Sequence, residues 1–211
     1  MKVYFVRHGE TAKNREKRLQ GRSSEPLSPA GIRQAEEARA FFRKKGITFD
    51  LVFSSPLKRA VQTANIITNG MEICLDPRLQ EMDYGPYEGM SLEEPSPEVV
   101  HFFRDFRHHP APDGMESLQA VTERLREFLE DLSRCEKETV LVATHAIALK
   151  GALEVLEPNG TWWSTHVGNC TVYRVTCTRG AYGQPEAVFN LKTGSEASID
   201  EGEEKDEDGT A

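Results

Sequence analysis

Short apolar runs alternate with helical periodicity along the first 190 residues. Val3, Tyr4, Phe5 and Val6 form one run, Leu51 to Ser54 a second and Thr139 to Thr144 a third. Each is short, rich in β-formers and without a polar face, which predicts strands buried on both sides. A further strand is expected near 72–75, an alternating one at 171–176 and a weaker one at 186–190. Between them lie helices. Ser28-Pro29 supplies an N-cap and a proline at the first helical position, with Ile32, Ala35, Phe41 and Phe42 as the expected buried face and Gly46 as the stop. Ser55-Pro56 predicts a second helix by the same cap chemistry, with Leu57, Ala60, Val61, Ala64 and Ile67 at helical spacing. Residues 97–109 are expected to form a helix carrying Phe102, Phe103 and Phe106, before Pro110, Pro112 and Gly114 break the chain. The stretch 116–134 places Leu118, Val121, Leu125, Phe128 and Leu132 on one face, and a last helix follows at 146–156. Residues 7–27 and 76–96 read as loops, the first with one helical turn.

Strands alternating with helices predict an α/β fold: a mostly parallel central sheet flanked by helices on both faces. No repeat or flexible linker interrupts 1–190, so a single domain over 1–194 is expected. The last segment differs. Residues 195–211 hold eight acids against Lys205, which gives this tail −7 of the chain's −8 and leaves the body near neutral. The tail is expected to be disordered and solvated. A near-neutral body argues against a nucleic-acid surface. No apolar stretch approaches the ~20 residues that span a bilayer. Cys74, Cys135, Cys170 and Cys177 form no C-x-x-C pair, so reduced thiols in a cytoplasmic protein are the simplest account.

Three segments share a local design, a buried strand followed at once by polar residues. They bring Arg7 and His8, Ser55 and Arg59, and His145 to predicted strand ends. Ligands of open parallel sheets bind beyond the carboxyl ends of the strands. Two guanidiniums offer paired donors to phosphate oxygens, and helix N-termini add backbone N–H groups, so the cluster is suited to phosphate. A neutral imidazole beside a phosphate held in this way can attack phosphorus, splitting one hard displacement into two easier ones. Taken singly, each piece has a plain structural alternative: a turn, a polar cap, a solvated arginine. Coincidence of all three at strand ends argues against those alternatives.

With Arg-His-Gly-Glu-Thr at 7–11 directly after the first strand, the chain resembles the histidine phosphatase superfamily, which includes phosphoglycerate mutases. The motifs that carry the resemblance lie at 5–14, 19–31, 54–64, 79–89, 113–118 and 143–146, within roughly 1–190. It implies a phosphoglycerate mutase-like fold and a phosphatase that hydrolyses small-molecule phosphate monoesters. His8 would become phosphorylated, and Arg7, Arg59 and His145 would complete the phosphate pocket. Asn14, Gln20, Gly21 and Ala146 fall where the family contacts phosphate or substrate. Glu81 matches the family's proton donor. Its apolar flanks between Leu79 and Tyr84 suit a carboxylic acid that holds a proton near neutral pH, although Asp83 and Glu88 are rivals. No metal or cofactor is implied. The partner is a small phosphorylated metabolite, with no nucleic acid or membrane, and a homodimer stays open.

The chain departs from the family at two positions. Ala146 stands where glycine is usual and adds a methyl to the pocket. Tyr87 stands where tryptophan is common and is expected to pack. Mutase-type phosphoryl transfer is the rival activity, and the short 90–115 segment favours hydrolysis over it. A phospho-ligand binding protein with little catalysis is the remaining alternative. The basic cluster Arg104, Arg107, His108 and His109 reads either as a solvated helix end or as a lid that attracts anions.

Overall fold

The computed structural model describes residues 1–106 and 108–191; the 195–211 tail and Arg107 therefore lie outside the described residues. The strands are β1 (Lys2–Arg7), β2 (Leu51–Ser54), β3 (Cys74–Leu75), β4 (Thr139–Thr144), β5 (Val172–Thr178), β6 (Ala181–Tyr182) and β7 (Glu186–Phe189). The helices are α1 (Ala12–Arg15), α2 (Pro29–Lys44), α3 (Lys58–Thr68), α4 (Pro97–Arg104), α5 (Leu118–Ser133) and α6 (Ala146–Leu156).

The sheet runs β3-β2-β4-β1-β5-β6, with β7 also paired to β5. It is mixed. The block β3, β2, β4, β1 is parallel as expected, whereas β5 runs antiparallel to β1 and carries β6 and β7 antiparallel to itself. The chain leaves β1 toward one edge and β4 toward the other. The crevice between these neighbours is the topological switch point, where α/β sheets bind ligands.

The central strands bury both faces. Val3 and Phe5 of β1 and Val140 and Val142 of β4 face one core, shared with α5 and α6 through Val121, Leu125, Phe128, Leu149 and Leu153. Tyr4, Val6, Leu141 and Ala143 face the other, shared with α2 and α3 through Ala35, Ala38, Phe42, Ala60 and Ala64. Helices thus cover both sides, and the period of two along each strand sends alternate residues to different cores. Truncating a buried phenylalanine such as Phe128 to alanine would cost about 3–5 kcal/mol.

Three expectations are corrected. Ile32 is 40% exposed. The buried stripe of α2 runs through Gly31, Ala35, Ala38, Phe41 and Phe42, which turns position 32 outward. The helix expected to start at Ser55-Pro56 starts at Lys58, with Leu57 at the cap and no side-chain cap bond. The Ser55 hydroxyl instead closes a local turn at the Leu57 N–H and meets His145. The helix expected over 97–109 stops at Arg104, because the Asp105 carboxylate takes the His108 backbone N–H and ring nitrogen and closes a local turn instead. Gly46 adopts the left-handed conformation expected of a helix stop, with φ +65.

One close backbone approach holds the 7–11 loop against α2. A Cβ on Gly31 would lie 2.1 Å from the Glu10 carbonyl oxygen, and one on Gly9 would lie 2.5 Å from the Gly31 carbonyl oxygen. The Ser28 hydroxyl caps α2 at the Gly31 N–H and donates to the Glu10 carboxylate. Alanine in a helix is ordinarily favoured over glycine by ~1 kcal/mol. At Gly31 the sign should reverse: Gly31→Ala is expected to destabilise by about 1–3 kcal/mol, from overpacking against backbone that cannot yield. Urea unfolding measures this, and an alanine variant as stable as wild type would refute the contact.

Candidate active site

The parallel register sets the site. Arg7 pairs with Thr144 and Ser54 with Ala143, so the residues that follow, His8, His145 and Ser55, leave the sheet at one level. The ladder continues one step beyond the strands, with the His8 N–H on the Thr144 carbonyl (2.9 Å) and the Ser55 N–H on the Ala143 carbonyl (3.0 Å). The two imidazole rings end 5.1 Å apart, tilted by 58°. Both are buried.

Hydrogen bonds assign the tautomers. His8 Nδ1 lies 2.7 Å from the Gly9 carbonyl oxygen, an acceptor, so Nδ1 carries the proton. Arg59 Nε donates to His8 Nε2 at 3.2 Å, which fits a lone pair there. His145 Nε2 lies 2.7 Å from Ser55 Oγ, which itself accepts the Leu57 N–H. The Ser55 O–H has no other acceptor among the described residues, so donation to Nε2 is the arrangement that satisfies it, and this places the proton of the neutral His145 ring on Nδ1. That buried nitrogen has no hydrogen-bond partner among the described residues, and neither has Arg7 Nε. The site thus holds two unpartnered donors together with the His8 ring, whose Nε2 carries no proton.

Arg59, a candidate for a solvated helix residue when considered alone, has no exposed surface at all. Its other donors bind the Ser23 carbonyl (2.6 Å) and the Gly21 carbonyl (2.7 Å), locking the guanidinium plane. Thr63, one turn along α3, accepts the Gly9 N–H and donates to the Arg59 carbonyl, tying the His8 loop to the same helix. Arg7 donates to the Val167 carbonyl.

The structure separates the three carboxylates. Glu81 is 3% exposed and lines the cavity. Its oxygens accept the N–H groups of Met82 (2.9 Å), Ile147 (3.1 Å) and Ala148 (3.1 Å), so the carboxylate, flanked by the buried Leu79, Met82 and Tyr84, also sits on the N-terminus of α6. Asp83 is exposed and closes a turn at the Gly85 N–H. Glu88 binds Lys13, Ser23 and the Gly21 N–H. The Glu81 loop is clamped by Glu116, which accepts from Arg124, Arg22 and the Asp83 N–H, while Arg124 also donates to the Gln80 carbonyl.

A cavity of about 800 Å³ opens over His8. Of the residues expected at the site, Arg7, His8, Asn14, Gln20, Glu81 and Ala146 line it, with Arg59 and His145 beneath the lining. Gly21 does not line it; its carbonyl is held by Arg59 and its N–H by Glu88. Asn14 accepts from Asn169, which also donates to the His8 carbonyl. Gln20 accepts from Thr11 and donates to Glu25.

The profile of the histidine phosphatase superfamily (branch 1) matches residues 3–186. The chain belongs to the histidine phosphatase superfamily. It is 39% identical over 159 residues to a protein named probable phosphoglycerate mutase GpmB from Enterobacter sp. (strain 638), covering 71% of each. It also resembles a crystal structure of phosphoserine phosphatase in complex with 3-phosphoglyceric acid from Entamoeba histolytica, with 28% identity and a TM-score of 0.72 over 89% of this chain and 95% of that one. A mycobacterial glucosyl-3-phosphoglycerate phosphatase in complex with VO3 matches at 26% identity and a TM-score of 0.74, over 83% and 92%.

Several wall residues of this superfamily member escape sequence reasoning. Lys150 was legible in principle, because it lies four residues after Ala146 and so shares its helix face. Trp163 and the stretch from Asn159 to Val167 carry no periodicity that would place them there, yet they form one side of the cavity. Arg104 and Phe106 reach the cavity, whereas His108 and His109 are exposed and do not line it.

Burial, with Arg59 the next cause in both, holds His8 and His145 well below the ordinary histidine pKa. Both rings are neutral in the folded protein at neutral pH. Between the lowered folded pKa and the unfolded value of about 6.5, the unfolded chain binds more protons, so stability is lost as pH falls below about 6.5. Each imidazole should contribute a slope of up to about 1.4 kcal/mol per pH unit. Urea unfolding between pH 7 and 5, wild type against the His8→Ala/His145→Ala double variant, measures it. Parallel curves for the two proteins would contradict the neutral assignment.

Proposed function

We propose that this chain hydrolyses small-molecule phosphate monoesters through a phosphohistidine on His8. In the first step the Arg59 Nε–H hydrogen bond shifts from His8 Nε2 to a phosphoryl oxygen, the freed Nε2 lone pair attacks phosphorus, and the ester P–O bond breaks. Glu81, in its acid form, gives its proton to the leaving oxygen. In the second step the Glu81 carboxylate takes a proton from water, the water oxygen attacks phosphorus, and the P–N bond breaks with its electron pair returning to Nε2. Arg7, Arg59 and His145 Nδ1–H bind the phosphoryl oxygens, where most of the stabilisation of such a transfer arises. A phosphate dianion offsets the two guanidiniums that disfavour charge on the rings. These cationic side chains supply the positive charge, so the reading calls for no metal.

The observation that carries the proposal is the pairing of a proton-free His8 Nε2 with unpartnered donors on Arg7 and His145. p-Nitrophenyl phosphate turnover in the presence of EDTA tests it. Wild type is expected to release phosphate, His8→Ala to lose at least about 10³-fold, and acid-labile, base-stable label to appear on His8 after quenching. Wild type without turnover from pH 5 to 8, or label on another side chain, would defeat the reading.

The name of the GpmB relative motivates a second reading as a mutase. A phosphoenzyme under an open cavity is exposed to water, which favours hydrolysis. 3-Phosphoglycerate with and without a bisphosphate primer distinguishes the two: free phosphate supports the phosphatase, and primer-dependent isomer formation without phosphate release supports the mutase.

A further inference from the structure

We infer that Lys150 binds a carboxylate on the leaving group, so that the preferred substrates are phosphate monoesters of small hydroxy acids rather than of neutral alcohols. The inference rests on the phosphatase reading above and names the substrate side of the same site. Lys150 lies on α6 one turn beyond Ala146 and lines the cavity over His8. Its ammonium donates to the Trp163 carbonyl at 3.0 Å and stands 5.3 Å from the centroid of the Phe106 ring. The Phe106 and Trp163 rings are themselves 5.8 Å apart, so the amine lies beside an aromatic pair. An ammonium has three donors. One is used here, and no carboxylate of the described residues forms an ion pair with it.

A cation in such surroundings is at a disadvantage until an anion joins it. Burial lowers its pKa to about 8, against an opposing pull from the Glu81 carboxylate and with a further push from Arg7. The Glu81 carboxylate is bound by the α6 N–H groups and does not reach the ammonium. The other outer cations are differently placed. Arg18 donates to the Gly89 carbonyl and pairs with Glu16 at 3.5 Å, and Arg104 is exposed at the rim. A single ammonium with two remaining donors matches one carboxylate in charge and in donor number.

Two esters with one carbon frame test the inference: 3-phosphoglycerate and glycerol 3-phosphate, which differ by carboxylate against hydroxymethyl. Wild type is expected to favour 3-phosphoglycerate at least tenfold in kcat/KM. Lys150→Met is expected to erase that preference, chiefly through KM for the acid, and Lys150→Arg to restore part of it. No preference in wild type, or an equal fall for both esters in Lys150→Met, overturns the assignment. If wild type turns over none of these esters, nor p-nitrophenyl phosphate, the phosphatase reading fails separately. Calorimetric titration of wild type with the same two esters then decides the carboxylate site: at least tenfold tighter binding of the acid supports it, and equal affinities overturn it.

Discussion

Parallel register between β1, β4 and β2 is the constraint on which the site depends. Each strand reaches the same level before the backbone turns away, and the ladder extends one residue further through His8 and Ser55. A slip of one residue in any strand would send alternate side chains to the opposite core, exchanging Val3 and Phe5 for Tyr4 and Val6. The hydrophobic pattern that fixes the register therefore also fixes the 5.1 Å spacing of the imidazoles. Packing and chemistry are here one requirement.

A second feature follows from placing cations at buried strand ends. Arg59 loses all contact with solvent, and its charge is met by carbonyl oxygens of Ser23 and Gly21 in place of a carboxylate. Neutral acceptors satisfy the N–H groups without cancelling the charge, which leaves the positive field available to an anion. Burial draws even this guanidinium down to a pKa of about 10. Because the same field discourages protons on both imidazoles, His8 keeps a proton-free Nε2, which the proposed attack on phosphorus requires. A carboxylate paired directly with Arg59 would have weakened the anion site and raised the histidines together.

The parts legible in the sequence were those whose information is local. Arg7 and His8 follow a strand that its own composition declares, and the motif continues through Thr11, whose hydroxyl caps α1 at Asn14. Gly46 and the capped start of α2 were readable for the same reason. Ser55 shows where local reasoning fails. Its cap chemistry was sound, but a partner 90 residues away claimed the hydroxyl. Glu81 was found by motif and its apolar flanks are buried, but nothing near position 81 announces that the N–H groups of Ile147 and Ala148 will meet the carboxylate. The mixed sheet likewise depends on the return from α6 to β5 across a segment without periodicity.

This division has a physical basis in the two ends of the cavity. On the proposed reading, the phosphate end is built from strand ends and helix N-termini, where backbone geometry leaves little freedom and few residue types suffice. The leaving-group end is built from the finish of α4, one face of α6 and the stretch from Asn159 to Val167, whose meeting is a product of tertiary packing. Chain segments of that kind tolerate change because they carry no sheet register. On that reading, chemistry can stay constant at His8 while selectivity shifts at wall positions such as Lys150, Phe106 and Trp163. The superfamily motifs consequently identify the reacting group far better than they identify the substrate, and the wall, not the motif, is where the substrate must be sought.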